Sequence, residues 1–268
     1  MDSFWIDEGN DIFQPTIHTQ GPWDARFQHG GPPGALLIRQ LENCSPRPDT
    51  VLARISIDIF GPVPLAPLRA HAHLVRPGRS VEKLEALLEH DGRTVMRATG
   101  WRIRVPNERP TQAEEEIKLP EIVGLPDSAP EIDPTQAPGW SGGFMKAIEW
   151  HFVHGGLHNP GPAIVWQRMR YPLLAGEETS PMQRLILSAD SANGASGPLD
   201  IREWQFIPPE LTIHSLRPPT GEWICLEAST LIQTEGVGLT NANLYDLRGL
   251  VGRSAQALLI SKKGAVEK

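Results

Sequence analysis

The chain has 268 residues, 40% of them hydrophobic, and a formal net charge of −7, enough for one large domain or two small ones around a packed core. The acidic balance, with no basic run beyond the terminal SKKGAVEK, argues against nucleic acid and anionic membrane as partners. No apolar run approaches the roughly 18–20 residues of a spanning helix, and MDSFWIDEGND carries no secretory pattern, so the expected location is cytoplasmic. Cys44 and Cys225 are too few for a disulfide framework or a zinc site and are expected to be reduced packing residues.

The first clear element is a helix over 33–42. In QHGGPPGALLIRQLE, Ala35, Leu36, Leu37, Ile38 and Leu41 surround most of the cylinder, which predicts a buried helix. Its glycine-rich start would expose backbone N–H groups of Gly30 and Gly31 as a close-approach site for an oxygen or an anion. VLARISIDIF follows as a strand, because Ile55, Ile57 and Ile59 alternate with Arg54, Ser56 and Asp58. PLRAHAHLV, RSVEKLEALLEHDG and TVMRATGWRIRV read as further strands, the last two joined at the Asp91-Gly92 turn. Propensity alone would make VEKLEALLEH a helix.

Residues 106–141 are rich in proline and acid, poor in periodicity, and expected as a linker, the Glu114-Glu115-Glu116 run being its solvated face. Beyond it the first order of elements recurs. SPMQRLILSADSANG supplies a helix from about residue 181, capped by Ser180 and Pro181, and ELTIHSL, GEWICLEASTLIQTE, VGLTNANLYDLRG and LVGRSAQALLIS supply strands. The chain is therefore expected as two similar units, 1–105 and 142–268, whose sheets join edge to edge. The counterpart of VEKLEALLEH is EWICLEASTLIQ, β-branched and aromatic, and this makes the former a strand as well.

Two polar residues fall on apolar faces. Asp190 shares a helical face with Met182, Ile186 and Leu187, where a carboxylate is costly unless paired or used; its alternative is a turn residue bonding to SANG. Gln256 shares a strand face with Leu258 and Ile260, pointing to a core or a cleft, or else satisfying a strand edge. His29 is a base or a substrate contact, or a histidine bonded elsewhere in the chain. Residues 139–143 satisfy G-x-S-x-G without the preceding core strand that a nucleophile elbow needs. His151, His154 and His158 have loosely metal-like spacing, on a strand running into a glycine turn that would scatter their rings, so no metal is expected.

The phrases QHGGPPGALL, DIFGPVPLAPLRAHAHLVRPGRSVEKLEALLEHDGRTVMRA, LILSAD, LRPPTGEWICLEAS and YDLRGLVGRSAQALLI, in this order, resemble the double hot-dog acyl-CoA thioesterases of the thioesterase II type. The resemblance implies an α+β fold, a double hot-dog of two antiparallel sheets each wrapped around a buried apolar helix. It implies hydrolysis of acyl-CoA thioesters without metal or redox cofactor, and an internal pairing of units that already covers sheet edges, with further homo-oligomerisation expected. Asp190 matches the family's catalytic aspartate, and Gln256 the glutamine that helps to hold the attacking water. The amides of Gly30 or Gly31 would polarise the thioester carbonyl. The family's third member, a Thr or Ser at the entrance to the strand after the second helix, falls on Pro208 in FIPPELTIH. Thr212 is a substitute hydroxyl further along, and Ser188 and Ser191 lie on the helix; none is a motif match. This departure keeps a non-catalytic acyl-CoA or acyl-carrier binding module open as an alternative. Hydration of an enoyl thioester is disfavoured by the want of a second Asp/His pair on one helix-bearing loop.

Overall fold

The computed structural model describes residues 2–106, 121, 124–137, 140, 142–156 and 158–264. Across them run β1 (Trp5–Gly9), β2 (Ile12–Pro15), α1 (Gly31–Asn43), β3 (Thr50–Ile59), β4 (Leu68–Arg76), β5 (Val81–His90) and β6 (Arg93–Arg104). There follow β7 (Glu131–Ile132), α2 (Gly143–Ala147), β8 (Ile148–Gly156), β9 (Asn159–Met169), α3 (Pro181–Ala189) and α4 (Ala192–Ala195). The chain ends with β10 (Trp204–Ile207), β11 (Glu210–Ser215), β12 (Ile224–Ile232), β13 (Val237–Asp246) and β14 (Gly249–Lys262). No helix among the described residues is long and apolar enough to cross a membrane.

β5 is the segment where propensity and pattern disagree, and pattern wins. Leu84, Ala86 and Leu88 are fully buried while their neighbours are only partly so, a strict period of two that a helix could not bury on one side. Strand parity also buries Ile55 and Ile57 of β3, and Ser254, Gln256, Leu258 and Ile260 of β14. Residues 124–137, within the stretch expected as linker, contain β7, which pairs with β8 at Glu131↔His151 and Ile132↔Trp150. The Glu114-Glu115-Glu116 run lies outside the described residues, as do Gly139 and Ser141 of the G-x-S-x-G match.

The expected pair of sheets is corrected to one. All pairings between these strands are antiparallel, and they form one 14-stranded sheet ordered β1-β2-β4-β5-β6-β3-β11-β14-β13-β12-β9-β8-β7, with β10 also on β14. The seam is β3 on β11, in register from Asp58↔Glu210 to Arg54↔His214. Either strand alone would present a row of unpaired N–H and C=O groups, and pairing them removes two edges at once. The helices likewise share one core: α1 packs on β4, β5 and β6, α3 on β12, and the two on each other, with their buried side chains in one continuous apolar cluster.

α1 and α3 lie antiparallel, joined at both ends. At one end the start of α1 meets the end of α3 so closely that a Cβ on Gly31 would stand 2.6 Å from the Leu187 carbonyl oxygen. At the other end Glu42 accepts hydrogen bonds from Ser180 Oγ (2.7 Å) and Gln183 Nε2 (2.8 Å). These two residues also form the capping box of α3, Gln183 N–H donating to Ser180 Oγ and Ser180 N–H to Gln183 Oε1. Arg39 adds a two-toothed pair with Glu177 ahead of α3, Nη2 to Oε2 at 2.8 Å. Burial pushes the Glu42 carboxyl above its ordinary value, against the pull of the Ser180 and Gln183 bonds.

Gly31→Ala is expected to lose about 1–3 kcal/mol of stability in urea unfolding, because the methyl group can enter only by separating two packed helices. Since the folded pKa of Glu42 is raised, its protonated form favours the fold, and this contribution is full at low pH and lost as pH rises through the raised value. Thermal unfolding from pH 4 to 7 is therefore expected to show the wild type losing stability relative to Glu42→Gln as pH rises.

Candidate active site

The helix junction at Gly31 brings the loop before α1 onto Asp190. Asp190 is the C-cap of α3 and only 6% exposed, its N–H bonded to the Ile186 carbonyl. Its Oδ2 lies 3.0 Å from His29 Nδ1. A Cβ on Gly30 would come within 2.9 Å of the same oxygen, so the carboxylate rests against the Gly30 backbone. The His29 ring is stacked on Phe144 of α2, centroids 3.8 Å apart and planes 11° from parallel, and the residue's backbone N–H donates to the Thr19 carbonyl. A histidine so held has little rotational freedom.

His29 Nδ1 has two neighbours. The Gly31 N–H donates to it at 3.1 Å, which occupies its one in-plane lone pair, and the Asp190 carboxylate stands 3.0 Å away as a close charged neighbour.

The start of α1 is poorer in free donors than its glycines promise. Pro32 and Pro33 have no N–H, the Gly34 N–H returns to the Gly30 carbonyl, and that of Gly31 goes to His29. Only the Gly30 N–H is left without a partner at this helix start among the described residues.

Asp190, His29 and Gly30 line a cavity of about 530 Å³. Its walls come from both halves of the chain and are mostly apolar, with Phe27 and Val63 from the first half and Trp140 and Phe206 from the second. The half-exposed Trp23, Phe60, Ile207 and Leu259, with Lys263 over the Trp23 ring, form the rim. This is the size and character of a site for an apolar group with a polar end. Two polar side-chain atoms of lining residues are buried without a partner: Ser191 Oγ, adjacent in sequence to Asp190, and Gln28 Oε1, whose amide nitrogen is fixed on the Pro64 carbonyl at 2.7 Å. Ser191 is the N-cap of α4, yet its hydroxyl caps nothing.

The other expected residues are placed apart. Gln256 is fully buried but does not line the cavity, and its amide has no hydrogen-bond partner. It lies opposite Thr240 at the end of a hydroxyl chain, Thr240 to Thr230 at 2.7 Å and Thr230 to Ser196 at 2.8 Å. Ser196 gives its proton to the Ala192 carbonyl at 2.8 Å, so Thr230 must donate to Ser196 and Thr240 to Thr230. That order leaves the Thr240 oxygen as the acceptor facing Gln256. Thr212 is not brought to Asp190. Leu211 and Ile213 face the core, so Thr212 faces the other side of the sheet, bonded to Ser56 Oγ (2.9 Å) and Glu210 Oε2 (3.2 Å). Pro208 does line the cavity.

Of the three histidines with metal-like spacing, only His151 belongs to a cluster of ligand type among the described residues, with Glu131 and Glu149. Both carboxylates already carry an arginine, Arg170 on Glu131 and Arg168 on Glu149. Burial pushes Glu149 up, but the Arg168 and His151 bonds outweigh it and hold the carboxyl below its ordinary value. This reads as an ion-pair network. Cys44 and Cys225 are both free; Cys225 packs with Trp166, Tyr245 and Leu250, and burial pushes its thiol up.

Solved structures of the same architecture exist at low sequence identity. A conserved protein of unknown function with a hot-dog fold from Alicyclobacillus acidocaldarius superposes with a TM-score of 0.73 at 15% identity, over 96% of that chain and 97% of this one. A thioesterase II candidate from Thermobifida fusca YX gives 0.73 at 17%, over 95% of that chain and 96% of this one. Acyl-CoA thioesterase II TesB2 from Mycobacterium marinum gives 0.66 at 13%, over 97% of that chain and 98% of this one. At these identities the likeness establishes the hot-dog fold. No curated protein sequence matches the chain. Family models of the acyl-CoA thioesterase N-terminal domain and C-terminal domain match residues 19–103 and 126–260. With both halves matched in order over most of its length, the chain belongs to the acyl-CoA thioesterase family.

Proposed function

We propose that the protein hydrolyses acyl-CoA thioesters to the free acid and CoA. The observation that carries this reading is the Asp190 carboxylate held against His29 and Gly30 in the wall of an apolar cavity. The acyl chain fills the cavity, and the thioester carbonyl oxygen takes the Gly30 N–H, a single preorganised donor of a kind worth about 3 kcal/mol to a developing oxyanion. A water beside Asp190 loses its proton to the carboxylate as its oxygen bonds to the carbonyl carbon. Collapse of the tetrahedral intermediate breaks the carbon–sulfur bond, and the thiolate leaves, the proton returning from Asp190 to it. His29, stacked on Phe144, fixes the position of the carboxylate beside it. The hydroxyl that Pro208 cannot supply is taken from Ser191, whose unpartnered Oγ next to Asp190 supports a role in holding the water.

Pro208 and the buried, remote amide of Gln256 favour a second reading, a module that binds acyl-CoA or an acylated carrier without turning it over. Thiol release from a panel of acyl-CoAs separates the two. The wild type is expected to release thiol, and Asp190→Asn, nearly isosteric but unable to take a proton from water, to lower kcat by about 10²–10⁴-fold with KM and thermal unfolding little changed. Binding without release by the wild type supports the module, and activity retained by Asp190→Asn removes Asp190 as the base.

A further inference from the structure

A second cavity of about 290 Å³ adjoins the first, and the two share three lining residues, Trp140, Gly194 and Phe206. Trp140 is 6% exposed, and the tip of its indole abuts the backbone of α4: a Cβ on Gly194 would stand 2.8 Å from its Cη2. Any side chain at 194 would lift the ring from this seat. Its backbone N–H is fixed on the Ala137 carbonyl at 3.1 Å. The indole is thus the largest group shared by the two spaces. On its far side the lining changes character, from the aromatic and aliphatic walls of the first cavity to Leu199 and Ile201 mixed with the Asp200–Arg202 ion pair.

We propose that the Trp140 indole, seated on Gly194, is the wall that ends the acyl cavity and so determines the longest acyl chain the protein accepts. The proposal rests on the reading of the first cavity as an acyl site. A chain that fills the first cavity gains with each added methylene until it meets the ring; one methylene more must displace the ring or fold back. A hydrophobic pocket discriminates a single methylene by roughly 10–200-fold, so a rigid wall converts a gradual preference into a limit. Opening the wall joins the two spaces, and Leu199 and Ile201 then offer apolar surface to the end of a longer chain.

The test is the dependence of thiol release on acyl length, from butyryl- to palmitoyl-CoA, in the wild type and in Trp140→Phe and Trp140→Ala, together with calorimetric binding of the same series. With Trp140 as the wall, the longest accepted chain moves outward from wild type to Phe to Ala, kcat/KM for it rising at least about tenfold in the Ala variant. The ratio of kcat/KM for the longest accepted chain to that for butyryl-CoA rises from wild type to Phe to Ala, a change of preference that a general loosening of the fold would not give. An unchanged length limit in both variants, or an equal fall at all lengths, overturns the proposal. Should Trp140→Ala fail to fold, the smaller step to Phe still reads the limit. If the wild type releases no thiol but the binding limit moves, the wall stands and the hydrolytic reading falls. If release occurs and neither limit moves, the wall falls alone.

Discussion

The close contact of two antiparallel helices at Gly31 is the constraint on which the site depends. Because the Leu187 carbonyl occupies the space where a side chain would begin, the first turn of α1 lies on the last turn of α3, and the loop before α1 is carried onto Asp190. The opposite ends are locked by Glu42 on the capping box of α3, so the pair cannot slide to relieve the crowding. A residue near 30 and one near 190 thereby become neighbours through packing alone. His29 and Asp190 need no element of their own to hold them.

The sheet reinforces this from behind. A hot-dog unit wraps a strand layer about its helix, and here the two layers are continuous through β3 and β11. The seam crosses beneath the helix pair, and neither half owns the cavity: Phe27 and Val63 face Trp140 and Phe206 across it. This is why family models for an N-terminal and a C-terminal domain both have to match before the site is complete.

Much of the fold was legible because burial follows periodicity. The all-round apolar character of 33–42 correctly marked a helix inside the core, and the repeat correctly overrode the helix propensity of β5. The N-terminal hairpin was missed because only Trp5 of β1 is buried, so there is no alternation to read; the turn at Gly9, Asn10 and Asp11, all with positive φ, was the available signal. That the sheets join edge to edge was legible from the repeat, but the strands that form the seam were not, since pairing of strands some 150 residues apart leaves no local trace. At the site, parity made Gln256 inward-facing, and the same parity, applied to ELTIH, would have turned Thr212 outward. What Gln256 meets, and that Gly31 gives its N–H to His29, depend on contacts between distant segments. Trp140 stands in a proline-rich stretch without pattern, and nothing there distinguishes a cavity wall from a surface indole.

The first turn of α1 has one further consequence. With two prolines, one amide returned to the helix and one given to a histidine, this helix start has a single N–H to offer, where a glycine-rich turn of ordinary composition would offer several. A phosphate group needs a cradle of converging donors, whereas a carbonyl oxygen is content with one. The junction is therefore selective by scarcity. Under the proposed reading, a substrate that carries both a neutral carbonyl and several phosphates would enter carbonyl first, threaded by its acyl end.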